Sequence, residues 1–284
     1  MIVVTGATGQ LGRLVVDGLL KKTAPSQVVA VVRDPRKAED LAARGVQVRE
    51  ADYDRPDTLA TAFAGTEKLL LISSSTPGQR LAQHEAVVNA AKEAGVRHLA
   101  YTSVLHADTA KLFVAPDHKA TEQLIRDSGI PFTFLRNGWY IENYAQTVQQ
   151  ALATGSFAGS AGTARLGGVP RIDLAEAAVT VLTGDGHTGK TYELAGDTPW
   201  NYADLAEAIT EATGKPVTYQ DVSPQQHLEL FLAAGLPEPV ATMLVDADRG
   251  IREGELAADT GDLRTLIDRP TTPLTAAVAD LVKN

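Results

Sequence analysis

Three evenly spaced glycines, Gly6, Gly9 and Gly12, follow a short apolar run at residues 2–5 and open a segment with helical apolar spacing at 11–22. Glycine at the end of a strand allows a tight turn, a second glycine lets the backbone approach a phosphate, and a third lets the helix pack closely on the sheet. The helix N-terminus offers N–H groups and partial positive charge to phosphate oxygens. This pattern predicts a dinucleotide pyrophosphate site, which we expect to consist of Gly6, Thr8, Gly9, Gln10, Leu11 and Gly12.

The end of the second predicted strand, at residues 28–32, bears on the choice of dinucleotide. Folds that bind NAD tend to place an acid there for the ribose 2′-hydroxyl. This chain has Arg33 instead, and its planar guanidinium suits the oxygens of a 2′-phosphate. We therefore predict NADPH as the cofactor, while the following Asp34 keeps NADH open as the less favoured choice.

Two further strand ends are expected to border the same dinucleotide. Asp52 closes the third predicted strand, where it lies beside the adenine. Ser73 and Ser74 close the fourth, and their small side chains let the dinucleotide lie across the strand ends.

The elements that must position these residues alternate between apolar strands and amphipathic helices. The predicted strands are 2–5, 28–32, 46–49, 69–73, 98–102 and 132–135, and the predicted helices are 11–22, 36–44, 56–63, 79–94 and 116–128. Continuous apolar strands that alternate with helices are typical of a parallel sheet covered on both faces. Right-handed crossovers then give an α/β fold with a doubly wound parallel sheet, the Rossmann fold.

The rest of the chain is less regular. We assign residues 1–155 to the dinucleotide-binding core and residues 156–284 to a part that completes the sheet and forms a small substrate lobe. The segment 155–168 is rich in glycine, alanine and serine, which predicts loops. Asn201 is expected to cap a helix that stops at Gly214.

Composition excludes several classes of function. The 284 residues carry a net charge of -9, which argues against nucleic-acid partners and anionic membrane surfaces. The chain has no cysteine, and its six histidines lack ligand-like spacing, so we expect no metal site. The start of the chain does not resemble a signal peptide, and no apolar run reaches the ~18–20 residues of a membrane span. A cytoplasmic protein is the expectation.

Several motifs resemble one family. TGATGQLG at residues 5–12 resembles the atypical short-chain dehydrogenases, and LRNGWYIENY at 135–144 is similar to their NmrA-like branch. The likeness is strongest to type 2 NAD(P)H:quinone oxidoreductases and triphenylmethane reductases. It implies a Rossmann domain with a small C-terminal lobe, NADPH as hydride donor, and a quinone or similar planar conjugated acceptor.

The resemblance also implies roles for individual residues. Lys119 falls where short-chain dehydrogenases place the lysine that holds the ribose, but Ala115 replaces the tyrosine acid expected four residues earlier. His118 is an alternative proton donor. From the 135–144 segment, Asn137 is expected to bond the nicotinamide or the substrate, and Trp139, Tyr140 and Asn143 are expected to contact the acceptor ring. We class Lys119 and Tyr140 as the catalytic candidates.

Two functions remain open on these residues. One is an NADPH-dependent reductase of quinones that needs no tyrosine acid, because a quinone accepts hydride readily. The other is a regulatory protein that senses NADP(H) without turnover, as other NmrA-like proteins do. The complete RNGWY segment favours the enzyme, and a homodimer is compatible with both.

Overall fold

The computed structural model describes residues 1–76 and 78–283. Its strands are β1 (Ile2–Val4), β2 (Val28–Val32), β3 (Gln47–Glu50), β4 (Lys68–Leu71), β5 (His98–Val104), β6 (Phe132–Asn137), β7 (Ser156–Gly159), β8 (Lys190–Leu194) and β9 (Thr218–Asp221). Its helices are α1 (Gln10–Leu19), α2 (Glu39–Ala43), α3 (Pro56–Ala62), α4 (Arg80–Glu93), α5 (Ala115–Ser128), α6 (Ala145–Thr154), α7 (Arg171–Thr183), α8 (Tyr202–Thr213), α9 (Pro224–Ala233), α10 (Glu238–Arg252), α11 (Asp262–Ile267) and α12 (Leu274–Lys283). Short 3₁₀ turns cover Pro25–Gln27, Pro35–Ala38 and Ile141–Tyr144.

A seven-stranded sheet in the order β3-β2-β1-β4-β5-β6-β8 forms the centre of the fold. The pairs from β3 through β6 are parallel, as the apolar strands predict. The predicted doubly wound α/β class is therefore confirmed. The strand order reverses between β1 and β4, and in such sheets the crevice outside the carboxyl ends at this point is where ligands bind.

The chain folds into two compact units. The first unit comprises Met1–Ala107, Pro116–Asn137 and Arg171–Tyr192, and the second comprises Asp108–Ala115, Gly138–Pro170 and Glu193–Asn284. These units interleave along the chain, whereas we predicted one division after residue 155. Helix α7 lies in the first unit because it packs on α1.

The core of the first unit is built from the sheet. Val3, Val29, Leu69, Leu99 and Phe134 belong to one buried cluster that helices of the same unit cover. No helix in the described part of the chain has the length and apolar character that a membrane span requires.

The prediction of loops throughout 155–168 is wrong at its start. Strand β7 occupies Ser156–Gly159 and pairs in parallel with β9, which the sequence analysis missed. A Cβ on Gly159 would lie 2.6 Å from the ring of Tyr202, so this glycine serves close packing and not chain reversal. The Asn201 cap is confirmed, since its side chain accepts from the Asp204 N–H and Gly214 ends α8 with φ of 69°.

A buried ion pair joins β6 to α5 in the first unit. Arg136 donates from Nε and Nη2 to the two carboxylate oxygens of Glu122, at 2.9 and 2.8 Å. The Ser103 hydroxyl adds a third bond at 2.7 Å, and Arg126 pairs with the same carboxylate at 3.2 Å. Arg136 of the RNGWY segment therefore holds β6 to α5 through its ion pair with Glu122.

We expect Glu122→Ala to lower the free energy of unfolding by about 3–5 kcal/mol, because it leaves the Arg136 charge buried without its counter-ion. Asp17→Ala is the control, since it breaks the exposed pair with Arg44 and should cost about 0–1 kcal/mol. Urea unfolding followed by circular dichroism measures both changes. Equal small losses for the two variants would contradict a structural role for the pair.

Candidate functional site

A groove of about 470 Å³ lies in the first unit at the carboxyl ends of β1, β2, β3 and β4. It is lined by Gly6, Thr8, Gly9, Gln10, Leu11, Gly12, Val31, Val32, Arg33, Asp34, Lys37, Ala51, Asp52, Tyr53, Ile72, Ser73, Ser74, Ser75, Thr76 and Gln83. The structure thus brings together the six residues predicted in the glycine turn with Arg33, Asp52, Ser73 and Ser74. Lys119 and Asn137 are not among these lining residues.

The glycine turn is packed too closely for larger residues. Gly6 adopts a φ of +58°, a conformation that L side chains rarely adopt, and its carbonyl accepts from the Gly9 N–H at 2.9 Å. A Cβ on Gly12 would lie 2.8 Å from the Cα of Ala7, which is backbone and cannot move aside. The turn therefore holds the start of α1 directly against the end of β1.

The N-terminus of α1 is open to an anion. The first bond of the helix runs from the Arg13 N–H to the Gly9 carbonyl, so the amides of Gln10, Leu11 and Gly12 precede it. Gly9 provides no side-chain cap, and no acid stands in the first turn. Free amides together with the helix dipole favour a pyrophosphate at this place.

The groups after β2 fit a 2′-phosphate better than a 2′-hydroxyl. Both oxygens of Asp34 accept from Arg36, through Nε at 2.9 Å and Nη2 at 3.0 Å. The hydrogen bond from Arg36 holds the pKa of Asp34 below its usual value. The carboxylate that would bind a ribose hydroxyl is thus paired with Arg36. The cationic side chains of Arg33 and Lys37 border the groove.

Polar side chains of α4 fasten the loop that follows β4. The Ser74 N–H donates to His84 Nε2 at 3.0 Å, and Arg80 Nε donates to the Ser74 carbonyl at 2.8 Å. His84 Nδ1 therefore carries the hydrogen, which points to Thr121 Oγ1 at 2.9 Å. Burial, together with the nearby Arg80 charge, lowers the pKa of His84 to about 3, so the ring stays a neutral acceptor.

The sequence analysis missed this support. Arg80, Gln83 and His84 are polar residues at helical spacing, yet all three are buried. Gln83 also bonds Asp54 at 2.8 Å and lines the groove. Polar residues at helical spacing ordinarily indicate a solvent-facing side of a helix, so the sequence carried no signal for this burial.

Asp52 borders the groove but also shapes its own loop. Its Oδ1 accepts from the Asp54 N–H at 3.1 Å, and its N–H donates to Thr58 Oγ1 at 3.0 Å. The neighbouring Tyr53 donates its hydroxyl to the Ile72 carbonyl at 3.3 Å, which links the loops after β3 and β4.

The residues around the missing tyrosine lie on α5. Ala115 is buried at its start, and Lys119 is exposed one turn later. His118 is buried and its Nδ1 lies 2.8 Å from the Tyr101 hydroxyl. Burial, together with the charge of Arg80, lowers the pKa of His118 to about 3. A ring that is neutral at physiological pH and already bonded is a poor proton donor, which argues against that alternative.

The RNGWY segment is divided between the two units. Asn137 is the buried last residue of β6 in the first unit. In the second unit, Trp139 and Asn143 border a separate cavity of about 350 Å³. Tyr140 is half-buried, forms a bridge with Val169, and is not among the described residues that line this cavity.

The chain is similar in sequence to known NAD(P)H-binding proteins. A model of NAD(P)H-binding proteins matches residues 6–185. Quinone oxidoreductase 2 of Escherichia coli is 50% identical over 281 residues, which cover 99% of this chain and 98% of that protein. The chain belongs to the NAD(P)H-binding family.

Solved structures extend the family comparison. A crystal structure of NADPH-dependent quinone oxidoreductase from E. coli, complexed with NADPH, matches with a TM-score of 0.96 and 49% identity over 99% of this chain and all of that one. Citrobacter sp. triphenylmethane reductase complexed with NADP(H) matches with a TM-score of 0.95 and 42% identity over the same shares. The predicted resemblance to these two groups is confirmed.

We expect Arg33→Ala to weaken NADPH binding about tenfold or more, because a charge-assisted bond to the 2′-phosphate is lost. NADH affinity should stay nearly unchanged, since NADH lacks that phosphate. Arg44→Ala is the control, because Arg44 is another exposed arginine that does not line the groove. Calorimetry with both cofactors measures the effect, and a parallel loss of NADH affinity would show that Arg33 acts elsewhere.

Proposed function

We propose that this protein is an NADPH-dependent oxidoreductase that reduces quinones or similar planar conjugated acceptors. The observation that carries the proposal is the groove at the carboxyl ends of the strands, where the strand order reverses. A glycine turn and an open helix N-terminus suit the pyrophosphate of NADPH. Arg33 suits its 2′-phosphate, because the neighbouring Asp34 is paired with Arg36. The 50% identical E. coli relative, a quinone oxidoreductase, supports the acceptor class.

The residues present fit the cofactor part by part. The amides that open α1 would hold the pyrophosphate, Arg33 with Lys37 the 2′-phosphate, and Ser73 with Ser74 the dinucleotide where it crosses the strand ends. When bound, NADPH supplies the hydride. Lys119 is proposed to bond the ribose, and Asn137 the nicotinamide amide.

The chain contributes orientation more than acid catalysis. The position of the usual tyrosine acid is occupied by Ala115, which has no ionisable group. A quinone needs none, since aromatisation drives its reduction and water can protonate the phenolate that forms. Holding two reactants in an aligned pair can lower the barrier by several kcal/mol, on the order of 7–11 in the best cases. Asn137, Trp139, Tyr140 and Asn143 are proposed to orient the acceptor.

A cytoplasmic location and the lack of a nucleic-acid partner are part of the proposal. The net charge of -9 supports the second, because nucleic acids bind to basic surfaces. The homodimer stays a prediction.

We expect quinone-dependent oxidation of NADPH well above the rate without protein. The loss of the reduced-nicotinamide absorbance measures this oxidation with each of a panel of simple quinones. Gly12→Ala should abolish it, since the added Cβ meets the backbone of the turn. Arg44→Ala is the control, because Arg44 is exposed and does not line the groove.

The opposite outcome is also informative. Tight NADPH binding by calorimetry with no oxidation by any quinone would contradict the enzyme and favour a protein that senses NADP(H). Equal activity of Gly12→Ala and Arg44→Ala would contradict the assignment of the turn.

A further inference from the structure

Ser74, in the loop that follows β4, is bound to α4 through each of its polar groups. Its N–H donates to His84 Nε2 at 3.0 Å, and its carbonyl accepts from Arg80 Nε at 2.8 Å. Its hydroxyl donates to Gln83 Oε1. The three α4 side chains are buried, whereas Ser74 itself lines the cofactor groove. A residue that borders the cofactor is therefore held in place from inside the protein.

Two of these α4 side chains continue to the first turns of α5. His84 Nδ1 lies 2.9 Å from Thr121 Oγ1, and the Thr121 hydroxyl donates to the Asp117 carbonyl at 2.8 Å. Arg80 Nη1 bonds the Asp117 carboxylate at 3.3 Å. These five residues form a closed ring of hydrogen bonds, the Ser74 ring, whose members are Ser74, His84, Thr121, Asp117 and Arg80. The ring restrains Ser74 from both its N–H and its carbonyl.

The direction of the hydrogen bonds through His84 is fixed from both ends. The Ser74 N–H can only donate, and the Asp117 carbonyl can only accept. The Thr121 hydrogen is committed to that carbonyl, so the Thr121 oxygen accepts from His84 Nδ1, and Nε2 remains the acceptor for Ser74. Burial, with a contribution from the Arg80 charge, lowers the pKa of His84 to about 3 and so keeps the imidazole neutral. A hydrogen on Nε2 would instead face the Ser74 N–H.

We propose that Thr121 of α5 is a positioning residue for NADPH, which acts on Ser74 through His84. Thr121 is fully buried and is not among the described residues that line the groove, so its effect on the cofactor is indirect. The proposal rests on the cofactor groove and not on which acceptor is reduced. A loop that is already held in its binding conformation loses less conformational entropy when the ligand binds, and affinity falls with the fraction of molecules in which the loop is correctly placed.

Thr121→Val tests the proposal, because valine keeps the shape of threonine and removes the oxygen that accepts from His84. Calorimetry should show NADPH binding about fivefold weaker, which corresponds to the loss of one hydrogen bond that holds the loop. Thr121→Ser keeps the hydroxyl and should bind NADPH as the wild type does. Unchanged NADPH affinity in Thr121→Val would overturn the proposal.

Thr133→Val is the matched control. Thr133 is also fully buried, donates to the His187 carbonyl at 2.7 Å and accepts from His98 Nε2 at 2.8 Å, so its partners are of the same kind as those of Thr121. It lies near the start of β6, at the end of the sheet opposite the groove. We expect the two valine variants to lose similar stability in urea and only Thr121→Val to lose NADPH affinity. If both lost affinity equally, Thr121 would contribute only to general stability, and the positioning role would be wrong.

A double-mutant cycle tests the route through His84. His84→Leu removes both hydrogen bonds of the imidazole, so Thr121→Val should cause no further loss of NADPH affinity in that background. Additive losses would show that Thr121 acts on the cofactor by another route, which would contradict the assignment of the Ser74 ring.

A measurement on the wild-type protein does not depend on the folding of a variant. The ¹⁵N chemical shifts of His84 should identify Nδ1 as the nitrogen that carries the hydrogen and Nε2 as the unprotonated one from about pH 5 to pH 8. A hydrogen on Nε2 in that range would refute the proposal, since Ser74 could then not donate to His84.

Discussion

The contact between Gly12 and the backbone of the glycine turn sets the position of the cofactor groove. A helix can start directly at the end of β1 only if no side chain separates its first turn from Gly6 and Ala7, and a Cβ on Gly12 would come within 2.8 Å of the Ala7 Cα. The amides of α1 are thereby placed beside β1, where the strand order reverses. The phosphate-binding character of the groove follows from this one packing constraint.

The rest of the groove depends on polar groups that are held by partners. Arg36 occupies the carboxylate of Asp34, which leaves the positive charge of Arg33 uncompensated by its neighbour in the chain. His84 and Arg80 of α4 hold the backbone of Ser74 by hydrogen bonds to its N–H and its carbonyl. Because burial keeps His84 neutral, its acceptor nitrogen stays available to that backbone across the physiological pH range. The groove is therefore preorganised, which is what an enzyme that works through orientation requires.

Features that depend on neighbouring residues could be predicted from the sequence, and features that depend on distant ones could not. The strands, the glycine turn and the Asn201 cap each follow from residues a few positions apart. The pairing of β7 with β9 and the contact of Ser160 with Asp248 join segments about sixty to ninety residues apart, and no local pattern announces them. Asp34 was ambiguous for a different reason, because a sequence shows which charges are neighbours but not whether their side chains pair. The 3.0 Å bond from Arg36 resolves it.

In the proposed reaction, hydride passes to a quinone without a proton from the protein, since Ala115 stands where the tyrosine acid would be. Single-turnover stopped-flow kinetics test it most directly, with NADPH deuterated at the transferred C4 position and, separately, with D₂O as solvent. Deuterium in the cofactor should slow the oxidation step, and D₂O should leave the rate of that step nearly unchanged. Slowing of that same step in D₂O would show that a proton moves together with the hydride, and hydride transfer without acid catalysis would then be wrong.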